Sequence, residues 1–163
     1  MRNHAADRES VAALMDLHEG RMDIPLLDDD GIRDLLGTSG RIAIVGASNK
    51  PHRPSYGVLL DLRAAGFDVV PVNPNVDEVD GLPCYPSVTE AVIATGPVDI
   101  VDVFRRTGRC SEAARDAVSA GARCLWLQLG IADREAGRIA HEGGLAVVMD
   151  RCTSIEVRRV RAG

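Results

Sequence analysis

A mainly parallel, doubly wound α/β sheet is predicted for this chain of 163 residues by three observations. Apolar runs of strand length recur at residues 42–45, 67–72, 98–103, 124–129 and 145–149. They are continuous Val/Ile/Leu runs rather than alternating ones, the pattern of strands buried on both faces. Segments with helical apolar spacing separate them, so each strand returns to the sheet through a crossover helix. Right-handed crossovers then give a Rossmann-like fold, with five strands expected in the order 3-2-1-4-5 and helices on both faces.

Each element has its own signal. Residues 1–27 carry weak helical spacing (Val11, Leu14, Met15, Leu17) and are expected to be an N-terminal extension with room for one short helix. The domain proper is expected over 28–163. Asp28-Asp29-Asp30 ahead of Ile32, Leu35 and Leu36 marks a helix start, with acidic residues in the first turn. Gly46 stops the first strand, and Ser55 is the expected N-cap of a helix closed by Gly66. The second strand ends at Asn73-Pro74-Asn75. Residues 81–86 hold two prolines and read as a connecting segment. Ser87 is placed to cap a helix through Ala94. Helices over 111–120 and from Ala132 or Asp133 to Glu142 follow, and a last short helix is expected from about Thr153.

Composition narrows the function classes. Net charge is −5, and aromatic residues are only 3%. An acidic chain with few stacking side chains argues against nucleic acid as a partner. No apolar run approaches the ~18 residues of a membrane span, and the N-terminus lacks an apolar signal segment, so a cytoplasmic location is expected. Four cysteines form neither a CxxC pair nor a zinc spacing and are expected to be free thiols. Basic residues are locally concentrated, at Lys50, His52 and Arg53 and at Arg105, Arg106 and Arg109. Local positive charge on an acidic protein suits a small phosphorylated ligand.

In a doubly wound sheet the ligand sits beyond the carboxyl ends of the strands. Topology therefore selects the segments 46–55, 73–75, 104–106, 128–130 and 150–152. A strand running into Gly46, with a helix start beyond the loop, favours a phosphate there. A dinucleotide fingerprint GxGxxG is absent: after Gly46 the next glycine is Gly57. Asn73 stands where a nicotinamide site wants an acidic residue for the ribose. The P-loop pattern is absent as well.

Five motifs in order carry a resemblance: 44–48 with 53–56, then 70–74, 98–106, 126–130 and 147–152. Together they resemble the stand-alone CoA-binding domain proteins, similar to the N-terminal domain of the succinyl-CoA synthetase α subunit. The resemblance covers residues 28–157. It implies a coenzyme A site, with Gly46, Ala47 and Ser48 at the diphosphate and Lys50 and Arg53 near the phosphates, the ribose 3′-phosphate included. It places Asn73, Pro74 and Asn75 beside ribose and adenine, and Val103, Phe104 and Arg105 on the other side of the crevice. Ser55 belongs to the same loop.

Other residues admit two readings. Phe104 is either core or an adenine platform, Trp126 is read as core, and His52 as an exposed loop residue. Asp99 and Asp102 are three apart on a strand, so they face opposite ways and do not form an acid–base pair. Asp150-Arg151-Cys152 is read as an ion pair fixing the C-terminal turn, with a reactive Cys152 as the alternative. No nucleophile–base–acid set stands out. The expected function is binding of CoA or acyl-CoA in a carrier, regulatory or scaffolding role. The alternatives are an NAD(P)-dependent oxidoreductase or the CoA-binding part of a multi-subunit acyl-CoA synthetase. Expected partners are a second copy of the chain or an enzyme subunit.

Overall fold

The computed structural model describes residues 4–163. Five parallel strands form the central sheet: β1 (Arg41–Val45), β2 (Asp68–Val72), β5 (Ile100–Val103), β6 (Cys124–Leu127) and β7 (Ala146–Val148). Two further short strands, β3 (Glu78–Val79) and β4 (Leu82–Pro83), pair antiparallel. The helices are α1 (His4–His18), α2 (Asp29–Thr38), α3 (Pro54–Ala64), α4 (Val88–Thr95), α5 (Cys110–Ser119), α6 (Arg134–Glu142) and α7 (Thr153–Ala162).

The sheet order is β2-β1-β5-β6-β7. Counted among the five parallel strands this is 2-1-3-4-5, not the expected 3-2-1-4-5. Pro71 supplies a physical reason. It lies in β2 and has no N–H, so β2 belongs at an edge. The Pro71 carbonyl accepts from Tyr85 N–H (3.1 Å) on the outer side of β2, the side on which the proline lacks a donor. The chain then crosses back over β1, through residues 73–99, to place β5 on β1's other side. The topological switch therefore falls between β1 and β5.

Apolar side chains divide between the two faces. On one, Ile32, Leu35, Leu59, Leu62 and Val157 from α2, α3 and α7 cover Ile42, Ile44 and Trp126. On the other, Ala91, Ala114, Ala117, Ala136 and Ala140 from α4, α5 and α6 cover Ala43, Val101 and Leu125. Small residues let these three helices approach the sheet closely. Trp126 is core, as expected, and its indole N–H donates to the Arg151 carbonyl (2.7 Å).

Local signals behave largely as read. Asp28 caps α2 through the Gly31 N–H, and Ser87 caps α4 through the Glu90 N–H. Ser55 does not cap α3. That helix begins at Pro54, with Arg53 as its N-cap residue and no side-chain cap. Proline is preorganised for the first helical position, which moves the cap two residues earlier, from Ser55 to Arg53. Residues 81–86 are more than a connector, because Asp80 and Gly81 both have positive φ (48° and 78°) between β3 and β4. An Asp-Gly pair in that conformation is the turn of a two-residue hairpin.

Within the N-terminal extension, residues 4–18 form α1. Ala13, Leu14 and Leu17 of α1 pack on the α5–α6 side of the core. His18 Nε2 lies 2.7 Å from Asp150 Oδ2, and Arg134 pairs with Asp16 and Asp23.

Candidate functional site

Beyond the carboxyl ends of β1, β5 and β6 lies a cleft of about 990 Å³. Gly46 at the end of β1 and Phe104 just after β5 both line it. Gly46 has φ +82°, and a Cβ there would come within 2.6 Å of the Phe104 carbonyl oxygen. Only glycine lets the two strand ends pass this closely, and Phe104 N–H donates to the Val45 carbonyl to lock them (2.9 Å).

The loop after β1 is built by its own polar groups. Gly46 and Ala47 both donate their N–H to the Val72 carbonyl (2.9 and 3.3 Å). Ser48 N–H donates to the Ser55 hydroxyl (3.1 Å), and Lys50 N–H to the Ser48 hydroxyl (3.1 Å). Asn73 ties the second loop to the first: its amide N–H donates to the Ala47 carbonyl (2.8 Å), and its Oδ1 accepts from Asn75 N–H (2.9 Å). Asn73 therefore acts first as a positioning residue. With Arg53 unable to cap it, the start of α3 leaves backbone donors without a side-chain partner at the cleft wall.

The structure brings together Gly46, Ser48, Lys50, Arg53, Ser55, Asn73, Asn75, Phe104 and Arg105 as cleft-lining residues. Pro74 instead lines an adjoining cavity of about 420 Å³ that shares Asn75 and Arg105 with the cleft. Ala47 and Val103 are buried and line neither space. Their side chains are core, because Ala47 turns under the loop and Val103 points into the α5–α6 layer. Lys50, Arg53, Arg105 and Arg106 form no ion pair among the described residues, so their charge is available to a ligand.

Asp7 and Ser10 of α1, together with Thr107, Ile131 and Ile155, also line the cleft and were not singled out from the sequence. Thr107, Ile131 and Ile155 lie one to three residues beyond segments that topology selects. Asp7 and Ser10 carry no such signal, since only tertiary packing brings α1 to the cleft.

Behind the cleft, Asp102 is fully buried. Its carboxylate accepts from Gln128 Nε2 (2.7 Å) and from the Thr153 hydroxyl (2.7 Å), and Gln128 Nε2 also reaches Thr153 Oγ (2.8 Å). Burial pushes the Asp102 carboxyl up to about 7, with the two hydrogen bonds opposing the rise. Asp99 lies on the other side of the strand and accepts from Gly40 and Arg41 N–H, so the two acids do not form a pair. Gln128 lines the cleft, which makes this network its floor.

Asp133 braces the wall. Its Oδ1 caps α6 through Ala136 N–H (3.0 Å), and its Oδ2 accepts from Gly108 N–H (2.9 Å) in the loop that carries Arg105. Replacing this buried carboxylate by alanine removes both bonds. Asp133→Ala is expected to cost about 2 kcal/mol, read as a lower midpoint in a urea titration at unchanged slope.

At the last strand end, Arg151 pairs with Asp29 (2.8 Å) and Glu156 (3.5 Å), while Asp150 accepts from Gly130 N–H (2.7 Å). Ion pairs do fix the C-terminal turn, but the partners come from α2 and α7 rather than from within the triplet. Cys152, half-buried, lines the cleft. Burial pushes the Cys110 thiol up to about 12 and raises those of Cys124 and Cys84.

A doubly wound parallel sheet with a basic cleft at its switch point defines a Rossmann-like nucleotide-binding domain. The chain belongs to the CoA-binding domain family, whose model, described as CoA binding domain, matches residues 40–158. α1 and α2 precede that span. The protein YneT of Bacillus subtilis, described as uncharacterized, is 37% identical over 124 residues, covering 76% of this chain and 90% of that protein. A hypothetical protein from Pyrococcus horikoshii OT3 superimposes with a TM-score of 0.78 at 38% identity, covering 83% of this chain and 93% of that one. ADP-forming acetate–CoA ligase I of Archaeoglobus fulgidus is 26% identical across 68% of this chain, which spans 17% of that ligase. The chain is thus a CoA-binding domain related to part of the acetate–CoA ligases. Among the described residues, no helix is long and apolar enough to cross a membrane.

Proposed function

We propose that this chain binds coenzyme A in the cleft at the β1–β5 switch point and serves as a carrier or regulatory module without chemistry of its own. The observation that carries the reading is the set of four unpaired cations, Lys50, Arg53, Arg105 and Arg106, around a cleft in a domain of this family. The diphosphate lies over the loop of Gly46, Ala47 and Ser48, which Ser48 N–H ties to the first turn of α3 at the Ser55 hydroxyl, so that the helix dipole favours negative charge there. Lys50 and Arg53 face the 3′-phosphate. Asn75 and Pro74 border the base and ribose, with Asn73 holding the loop in place. Phe104 and Arg105 close the opposite side, and Val103 supports them from the core.

Isothermal titration with CoA, dephospho-CoA and NAD tests this. CoA is expected to bind more tightly than the other two. Arg53→Ala is expected to weaken CoA about tenfold, the scale of one charge-assisted bond, and to change dephospho-CoA little. The CoA reading fails if submillimolar CoA produces no heat. Equal affinity for CoA and dephospho-CoA removes the 3′-phosphate role.

A second reading has the chain supplying the CoA-binding part of a multi-subunit ligase. It is favoured by the relationship to ligases of which the chain spans a small fraction. Copurification with a nucleotide-binding ligase subunit would support it over the carrier reading.

A further inference from the structure

The cleft is chemically lopsided. Its cations come from the loop after β1 and the segment after β5. The segments that complete it after β6 and β7 contribute Gln128, Leu129, Gly130, Ile131, Cys152 and Ile155, none of them charged. Leu129 is 63% exposed and Ile155 44% exposed, although both lie in a cleft. A folded chain gains by covering such side chains, and these two are left open where a ligand would lie.

Their placement is built rather than incidental. Gly130 N–H is held by Asp150 Oδ1 (2.7 Å), and Asp150 N–H donates to the Ile131 carbonyl (3.1 Å). Trp126 holds the Arg151 carbonyl, and Gln128 holds Thr153, the first residue of α7. These bonds knit the loop after β6 to the start of α7 and so bring Leu129, Ile131 and Ile155 to one end of the cleft. Ser154 Oγ donates to Asp61 Oδ2 (2.8 Å), fixing α7 against α3. Asp150 adopts φ +57° to make this corner, a conformation that few non-glycine residues accept.

We infer that the cleft takes its ligand as an acyl thioester, with a short uncharged aliphatic acyl group seated against Leu129, Ile131 and Ile155. This rests on the coenzyme A reading and deepens it. A nucleotide end anchored by Lys50 and Arg53 directs the pantetheine arm along the cleft toward the segments after β6 and β7. A free thiol covers little apolar surface there, whereas each buried methylene tightens binding about fourfold. Arg151, the cation of the segment after β7, is engaged with Asp29 and Glu156 and is not offered to a carboxylate-bearing acyl group.

Isothermal titration of the full chain with CoA, acetyl-CoA, butyryl-CoA and succinyl-CoA provides the test. Butyryl-CoA is expected to bind about tenfold or more tightly than CoA, with acetyl-CoA between them and succinyl-CoA no tighter than CoA. Leu129→Ser and Ile155→Ser alter exposed side chains. Each is expected to weaken butyryl-CoA more than CoA, and so to reduce the butyryl advantage, with little change in melting temperature. CoA that binds as tightly as butyryl-CoA overturns the acyl inference and leaves the coenzyme A reading standing. Absence of binding by CoA and by every thioester overturns both. A butyryl advantage that survives in the Leu129→Ser/Ile155→Ser double variant overturns the assignment to these side chains.

Discussion

Gly46→Ala is expected to destabilise the fold by about 2 to 4 kcal/mol and to abolish ligand binding in the fraction that stays folded. Two independent effects add. At φ +82° an L-residue is strained, by roughly 1 to 2 kcal/mol. The new Cβ would also stand 2.6 Å from the Phe104 carbonyl oxygen, a backbone atom that cannot swing aside. Relief requires β1 and β5 to separate at their carboxyl ends. That would break the Phe104–Val45 hydrogen bond and widen the cleft at its floor. For a domain of this size, ~2 to 4 kcal/mol lowers the melting temperature by roughly 5 to 15 °C. Gly57→Ala provides the contrast. Gly57 lies inside α3 with nothing within 4 Å of its Cβ position, so alanine is expected to stabilise the fold by up to about 1 kcal/mol. Thermal melts of the two variants beside the parent check both signs. A Gly46→Ala protein that melts with the parent would show that the strand ends do not need this approach.

Stability of the parent is expected to rise as pH falls from 8 to 5, and Asp102→Asn is expected to flatten that rise. Burial holds the Asp102 carboxyl protonated up to about 7 in the folded chain, whereas an unfolded aspartate ionises near ~3.9. Between those values the folded state holds a proton that the unfolded state has released. The contribution is therefore full below the unfolded value and lost as pH rises through the folded one, with a slope of up to about 1.4 kcal/mol per pH unit. Surface acids act in the opposite sense and in a lower window. Arg134 holds Asp16 and Asp23 below the ordinary carboxylate range, and Arg151 does the same for Asp29. Their contribution is lost only as pH falls through those depressed values, outside the 5 to 8 window. An asparagine amide has the shape of the neutral acid and can remain bonded to Thr153 and Gln128. Urea titrations at pH 5, 6, 7 and 8 on parent and variant isolate the Asp102 contribution. An unchanged slope in Asp102→Asn would mean that this carboxyl does not titrate there.

Much of the site is legible in the sequence because topology places ligands at strand ends, and strand ends are marked locally. Gly46, Asn73 and Arg105 follow immediately on apolar runs, and all three line the cleft. The roles of individual residues are less legible. Asn73 looks like a ligand contact from its position, yet its amide bonds Ala47 and Asn75 across two loops. Ser55 looks like a cap, but Pro54 starts the helix and leaves the Ser55 hydroxyl to hold Ser48. Asp102 is a lone acid in an apolar strand, and only the approach of Gln128 and Thr153 from other segments gives it partners.

Periodicity, glycine positions and acidic caps suffice for the five parallel strands, their crossover helices and the loop after β1, because these signals act within a few residues of chain. The strand order was decided by the long crossover that returns the chain past β1, and by an edge position for the proline-bearing β2. The packing of α1 against the cleft rests on apolar contacts and polar side-chain pairs with residues over a hundred positions away, such as His18 with Asp150 and Asp16 with Arg134. The apolar end of the cleft likewise exists only where the loop after β6 is bonded to the start of α7. Pairings at such separations depend on which surfaces meet in three dimensions, and local spacing does not encode that.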